Sequence, residues 1–577
     1  MNKLLLLPSA RLIPPELRVD FGPIPSGMVP LNSRPALHHI AAPYAAAGFD
    51  VLVAVHERGE LVEHYVNRCP SLRARTVDVG PTSSIAETVA TALRLAGTLP
   101  DRLVVNFADT LVSELLSGQD EICYQDQEDL YRWTTFEFDR DRAIRAVHPK
   151  NELKPHSGPQ PVFVGVFGFS RPERFLKSLE NSLLQNSTRD DPFWAALMDY
   201  HNGLPSGDRC LRRVGEWHDF GHLDTYYATQ RSYFLNKRFF NSMAVDMGRG
   251  LVRKSSTHAA KLAHEIEWYL SLPPAIKYLG PRVFAYSTGK NHTSAEMEYY
   301  GYPALNDVYL YGEWDLGVWS QVLSAIGRAL DGMAHYPMDA NPAVLRAAMR
   351  DMYESKTAER LQPVLQDPRF SPFCAPEIEL NGRRCLGLPR CLEVLPQALE
   401  QAGIYDSPRF NIIHGDLCLS NILYDRRSGF VRLVDPRGSF GGISMYGDPR
   451  YELAKLSHSL LGDYDFLVNG LFQLEWRGGS VSLQPFRRPQ HQQIRALFQN
   501  WLARRAPGAA LRQIRLIESL LFLSMTPLHA DRPQSQEAFL ARGLELFSAS
   551  LHQPPSHRPE AFAHAGAADQ HPNHYGR

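Results

Sequence analysis

One segment narrows the possibilities more than any other: NIIHGDLCLSNILYDRRSGFVRLVDPRGSFGG, residues 411–442. An apolar run enters His414-Gly415-Asp416. Asn421 follows five positions after that Asp, and a second one, Asp435, closes the next apolar run. NILYD and VRLVD alternate around RRSG, which predicts a short β-hairpin. Such a hairpin would hold Asp416, Asn421 and Asp435 near one another. A plain polar turn between buried strands has no need of that order. Phosphoryl transfer from a nucleotide does. One carboxylate takes the proton of the attacking hydroxyl, while an amide oxygen and a second carboxylate hold Mg2+ on the phosphates.

Protein kinases use His-Arg-Asp, four residues, Asn, and later Asp-Phe-Gly. Here the order is His-Gly-Asp, four residues, Asn, and later Asp-Pro-Arg-Gly. HGDLCLSNIL resembles the catalytic loop of the aminoglycoside phosphotransferase and choline kinase group of small-molecule kinases. The resemblance implies that Asp416 is the catalytic base and that Asn421 and Asp435 bind Mg2+. YGDPRYELAKLSHSL resembles the group's helix after the metal strand, with Asp448 bracing the loop. Arg437 would reach a phosphate or an acidic substrate, or form a structural salt bridge.

A kinase also needs a nucleotide-gripping lobe upstream. GRGLVRKSS reads as a strand carrying Lys254, and HAAKLAHEIEWYLSLP has helical periodicity with Glu265 and Glu267. A strand Lys held by a helix Glu is the expected phosphate-contacting pair. Glu265 is favoured, because the group's pattern places the acid about one turn before WYLSL. AEMEYYGYPALNDVYL resembles the hinge strand, so backbone groups from Glu298 to Tyr300 would meet the adenine of ATP. No Gly-x-Gly-x-x-Gly precedes Lys254. NKRFFNSMAVDMGRG would supply phosphate cover, with Asn241 and Ser242 as candidates. Long amphipathic stretches on both sides of the loop suit a helical lobe that contacts the substrate.

Before about residue 240 the pattern changes. KLLLLP, FDVLVAV, RLVVNFAD and VFVGVFGFS read as strands, and RPALHHIAAPYAAAG and SSIAETVATALRLAG as helices. This alternation predicts an α/β doubly wound domain with ligands at the carboxyl ends of its strands. The half resembles the sugar-1-phosphate nucleotidyltransferases and related cytidylyltransferases. LVVNFADTLV and EWHDFGHLDTYYATQRSYF resemble the segments supplying that family's two metal carboxylates, here Asp109 and Asp219. NELKPHSGPQPVFVGVFGFS resembles the Glu-Lys-Pro segment, with Lys154 meeting the acceptor's phosphate. The nucleotide would be CTP, UTP or GTP. The family's Gly-rich triphosphate loop is replaced by PSARLIPPELRVDFGPIPSGMVPL, where Arg11 or Arg18 would supply one charge. Ser26 stands at the usual Lys, and Ala108 at the usual Gly before the metal Asp.

A chain of 577 residues implies two to four domains. The expected division is a nucleotidyltransferase-like domain over 1–236, an α+β two-lobed kinase-like domain over 237–551, and a disordered Pro/His/Ala-rich tail over 552–577. Lys+Arg 61 against Asp+Glu 62 argues against a dominant nucleic-acid or membrane-surface role. The cysteines are scattered and odd in number, so a reducing, cytoplasmic setting is expected. MNKLLLLPSARL is too short in its apolar run for a signal-peptide core, and no stretch is long enough to span a membrane.

The expected function is a two-domain transferase. Its kinase half phosphorylates a hydroxyl on a small polar metabolite, a sugar or an amino alcohol, for capsule, cell-surface glycan or headgroup precursors. One alternative keeps only the kinase active, with the N-terminal domain binding a nucleotide-sugar or sugar phosphate. The other is a non-enzymatic scaffold. The oligomeric state stays open.

Overall fold

The computed structural model describes residues 2–128, 130–150, 158–185, 191–231, 241–246, 248–406 and 408–551. Lys154, the 236/237 boundary and the 552–577 tail lie outside the described residues, as do the Asn241 and Ser242 side chains.

Leu4, Leu5, Leu6 and Leu7 are all buried, as a central strand covered on both sides requires. That strand, β1 (Lys3–Ser9), runs parallel to β2 (Asp50–Val55) on one side and to β3 (Arg102–Asn106) on the other. Ala74–Asp78 extends the parallel set beyond β2, and the antiparallel β4 (Gln160–Phe169) flanks β3. Residues alternate between two cores. Leu5, Leu7, Val51, Val53 and Val104 face α1 (Ala36–Ala46), while Leu4, Leu6, Leu52, Leu103 and Val105 face α2 (Ile85–Leu95). Period-two burial on both faces makes the unit doubly wound. Ser84 starts α2 as a cap, accepting from the Glu87 N–H at 3.2 Å.

The second half opens with a four-stranded antiparallel sheet. In chain order its strands are β5 (Asn241–Asp246), β6 (Leu251–Ser256), β7 (Val283–Thr288) and β8 (Thr293–Glu298), with β6 beside both β5 and β8. Between β6 and β7 lies α4, Ala259–Ser271, preceded in the chain by α3, Leu223–Thr229, from the first half. The expected hairpin forms as β9 (Ile422–Asp425) and β10 (Phe430–Leu433), registered Ile422 to Leu433. Helices make up most of the remainder, including α5 (Lys356–Gln366), α6 (Pro449–Leu460) and α7 (Ala509–Met525).

The halves share a hydrophobic core in which Leu17, Phe21 and Tyr226 join Leu305, Val308 and Tyr311. Glu313 is the polar centre of the junction, accepting from Arg58 and from Arg488. Its backbone N–H donates to Phe21 O at 2.8 Å. A Cβ on Gly22, which has φ +76°, would lie 2.4 Å from Glu313 O, so this approach requires glycine. Among the described residues no helix is long and apolar enough to cross a membrane.

Candidate active sites

The β9–β10 hairpin does what its pattern predicts. It returns the chain so that Asp435, Asn421 and Asp416 converge. Asn421 Nδ2 donates to Asp416 O at 2.8 Å and to Asp416 Oδ2 at 3.2 Å. That fixes the amide, and its oxygen accepts from the Ser420 hydroxyl at 3.4 Å. Asp435 has φ +56°, a left-handed conformation uncommon outside glycine. Its N–H donates to the Tyr269 hydroxyl at 3.1 Å, and its carboxylate pairs with Lys254.

Lys254 lies on β6 and is only 6% exposed. It donates to both Glu265 oxygens, at 2.9 and 2.7 Å. Glu267, two residues on and turned to the other side of the helix, is exposed, so Glu265 is the partner. Burial pushes the Glu265 carboxyl up to about 7 against the pull of Lys254, and Asp435 adds to the rise. Burial also opposes the Lys254 charge, but Asp435 and Glu265 prevail and raise it.

Burial alone would raise the Asp416 carboxyl. The Lys455 ammonium, 2.8 Å from Oδ1, and the Arg437 guanidinium override it and hold the group well below the usual carboxylate range. His414 is fully buried, and burial pushes it down to about 4. Neutral, it accepts the Asp416 N–H on Nδ1 at 3.2 Å and donates from Nε2 to Val434 O at 2.9 Å. It thus ties the loop to the strand before Asp435.

Asp448 does not brace the loop itself. It caps α6, taking the Arg450 guanidinium and the Tyr353 hydroxyl. The brace is Glu452, one turn on, which accepts the His414 N–H at 3.1 Å and the Gly415 N–H at 2.9 Å. Glu452 and Lys455 stand three apart on α6 and both face the loop. That i, i+3 spacing within YELAKL is the signal that would have found them.

In the N-terminal half a short antiparallel pairing brings two distant carboxylates together. Thr110 pairs with Asp219 and Val112 with Trp217, and the Phe220 N–H donates to Asp109 O at 3.0 Å. Both carboxylates flank Gly221, where a Cβ would lie 3.2 Å from Asp109 Oδ2 and 3.6 Å from Asp219 Oδ1. The Thr225 hydroxyl donates to Asp219 at 2.5 Å. Burial raises both carboxyls, and Asp109 raises Asp219 further. Neither makes an ion pair among the described residues. Ala108, just before, has φ +64°, a left-handed conformation that costs a residue with a Cβ roughly 1 kcal/mol.

The candidate donor set is a carboxylate and an amide, Asp435 and Asn421, in one half and a carboxylate pair, Asp109 and Asp219, in the other. Among the described residues no three His, Cys, Asp or Glu cluster as a metal cage. Oxygen-only partial sets suit a hard cation that takes its remaining ligands from water and phosphate.

No protein-family model matches the chain. No curated protein matches it either. Solved structures similar to it include two kinds. A CTP:phosphocholine cytidylyltransferase from Streptococcus pneumoniae is 12% identical with a TM-score of 0.32, covering 40% of this chain and 98% of its own. An inositol-1-phosphate CTP transferase from T. maritima is 12% identical with a TM-score of 0.30, covering 39% and 91%. The other kind is a thermostable mutant of an aminoglycoside phosphotransferase, 15% identical with a TM-score of 0.33, covering 54% and 91%. These are the two kinds of protein that the sequence resembles.

The segment that stands in place of the Gly-rich loop has another occupation. Pro15–Phe21 forms a short helix that buries Leu17 and Phe21 and meets Glu313 of the kinase-like half. Arg18 Nε donates to Ile13 O at 2.6 Å, and Arg11 donates to Thr82 O at 2.8 Å. Ser26 Oγ lies 3.4 Å from Ser9 Oγ.

A cavity of about 260 Å³ opens beside Lys254, Glu265 and Asp435, and the hinge residues Glu298 and Tyr300 line it. The Glu298 N–H donates to Arg282 O and the Tyr299 N–H to Gly250 O, both at 2.9 Å. Of these three amides, only that of Tyr300 makes no backbone hydrogen bond among the described residues. The opposite wall was not foreseen. It comes from the other half, through Tyr226, Tyr227, Gln230 and Arg231. The Arg231 guanidinium lies 5.5 Å from the Tyr299 ring centroid. Substituting Arg231→Ala is expected to raise the KM for ATP about tenfold, equivalent to about 1.4 kcal/mol, with kcat nearly unchanged. Steady-state kinetics at varied ATP check this, and an unchanged KM would count against the shared wall.

Proposed function

We propose that the chain is a Mg-ATP-dependent phosphotransferase acting on a hydroxyl of a small polar metabolite, with an attached nucleotidyltransferase-like domain. The observation that carries this reading is the cavity lined by Lys254, Glu265 and Asp435, with Asn421 tying Asp416 to the strand that ends in Asp435. Asp416, kept ionised and oriented by Lys455 and Asn421, receives the acceptor's proton. Its low proton affinity suits a loose transition state, in which the hydroxyl becomes acidic late. Lys254, steadied by Glu265, meets the nucleotide phosphates. Glu298 to Tyr300 border the base. Mg2+, when bound by Asp435 and Asn421, neutralises the charge on the transferring group.

For the N-terminal half, Asp109 and Asp219 form the candidate cation pair and Lys154 the candidate acceptor-phosphate contact. The proposed division remains 1–236, 237–551 and a tail. The products we assign are precursors of capsule, cell-surface glycan or headgroups. A second reading has a specific observation behind it. The Pro15–Phe21 helix spends the would-be triphosphate loop on the junction between halves, which favours a binding domain over an active nucleotidyltransferase.

The test uses the full chain with Mg2+ and ATP, CTP, UTP or GTP over a panel of sugars, sugar phosphates and amino alcohols. ADP release with one acceptor supports the kinase. Pyrophosphate release supports an active N-terminal half, and ADP alone supports the second reading. Neither product across the panel would leave the scaffold.

A further inference from the structure

Among the described residues three cations, Arg437, Lys356 and Arg360, meet in one cleft without an ion pair, and only Arg437 reaches the field of Asp416. Arg437 packs directly against the catalytic loop. Its N–H donates to His414 O at 2.9 Å, and a Cβ on Gly415 would lie 3.1 Å from Arg437 Cβ. Lys356 and Arg360 stand i, i+4 on α5, and all three line one narrow cleft with Tyr353 and Tyr451. Arg437 donates to the Tyr451 hydroxyl at 2.8 Å, Arg360 to Ser524 O at 3.4 Å, and Lys356 only to Met352 Sδ at 3.5 Å. Among the described residues none of the three makes an ion pair.

The nearby acids are otherwise engaged or turned to solvent. Asp416 takes Lys455, both Glu452 oxygens take loop amides, and Asp351 and Glu359 are exposed. Like charges at i, i+4 repel, and a half-buried setting screens them less than water does. Burial, Arg437 and Arg360 together lower the Lys356 ammonium to about 8, the mark of a cation facing cations. Immediately before Lys356 the helix widens into a π turn over Asp351–Ser355, and Tyr353 of that turn is anchored on Asp448. Such turns often re-aim side chains at functional sites.

We propose that this cleft receives an anionic group of the acceptor, a phosphate or a carboxylate, while the acceptor's hydroxyl lies at Asp416. Arg437 and Arg360 supply forked donors and Lys356 a point charge, which together match anionic oxygens. The cleft holds about 20 Å³ of free space, enough for one such oxygen to enter. The acceptor class is therefore a hydroxyl compound that already carries negative charge, rather than choline or a neutral sugar. This inference rests on the proposed kinase reading for the role of Asp416, but anion binding can be measured without turnover.

The experiment has two arms on the full chain. In the first, ADP release is measured with neutral sugars, sugar acids, sugar phosphates and choline. Turnover confined to the anionic acceptors is expected, and the acids and phosphates separate carboxylate from phosphate recognition. The Lys356→Gln, Arg360→Gln double variant should raise the acceptor KM at least about tenfold with the ATP KM within about twofold. Preference for a neutral or cationic acceptor, or an unchanged acceptor KM, overturns the proposal.

In the second arm, binding of inorganic phosphate is titrated calorimetrically at constant ionic strength. Wild type should bind, and the double variant, shown folded by circular dichroism, should lose at least about tenfold in affinity. No binding by wild type, or equal binding by both, overturns the anion site. Phosphate binding that depends on Lys356 and Arg360, without ADP release from any acceptor, upholds the site and refutes the kinase reading instead.

Discussion

Asp416→Ala is expected to abolish phosphoryl transfer while the fold persists. Asp416 is the proposed proton acceptor, its geometry set by the Asn421 amide and the Lys455 ammonium. Removing a positioned proton acceptor costs about 10²–10⁴ in rate, and here its orienting partners lose their target as well. The effect falls on kcat. Lys254, Glu265 and the hinge strand are untouched, so the KM for ATP should change little. Loss of the carboxylate leaves Lys455 and Arg437 facing each other, so Asp416→Asn is the milder companion, keeping shape while removing charge. Coupled ADP-release kinetics beside circular dichroism spectra check the pair. Turnover within threefold of wild type in either folded variant would remove Asp416 from its assigned role.

Glu313→Ala is expected to cost the largest stability of any single junction substitution, about 3–5 kcal/mol, because it strands buried charge. Arg488 is 6% exposed and reaches Glu313 together with the Leu310 and Gly312 carbonyls, while Arg58 arrives from the N-terminal half. Without the carboxylate, two guanidinium groups face each other inside the junction. Urea unfolding should show a lower midpoint and a split of one transition into two as the halves part. A loss under about 1 kcal/mol with a single transition would mean that the apolar contacts alone hold the junction. Because the cavity wall of Tyr227 and Arg231 depends on the junction, ATP affinity should fall in parallel.

The hairpin at Asp416 was legible because period-two alternation and a Gly turn are local properties. So were the four apolar strands of the first half, whose leucines and valines must be covered on both faces. Glu265 is favoured over Glu267 by the pattern of the resembled kinases, and Glu265 is buried while Glu267 is exposed. Lys455 and Glu452 could have been read from their spacing but were not, since neither belongs to the motif itself. Asp448 is not the brace, for a related reason. As an N-cap its carboxylate is committed to the first turn of its own helix, and only the following turn faces the loop.

The sequence by itself determined the chemistry of each half: which carboxylates, amide and lysine are present, and in what order along strands and helices. Those are short-range facts, set by periodicity and by the backbone needs of turns. Only the tertiary structure decided how the halves meet. It placed the Pro15–Phe21 helix against Glu313, gave the cavity beside Lys254 a wall from Tyr227 and Arg231, and gathered Lys356, Arg360 and Arg437 into one cleft. The physical reason is range. Charge and burial act through space between residues hundreds of positions apart, and no local pattern records which of them will touch.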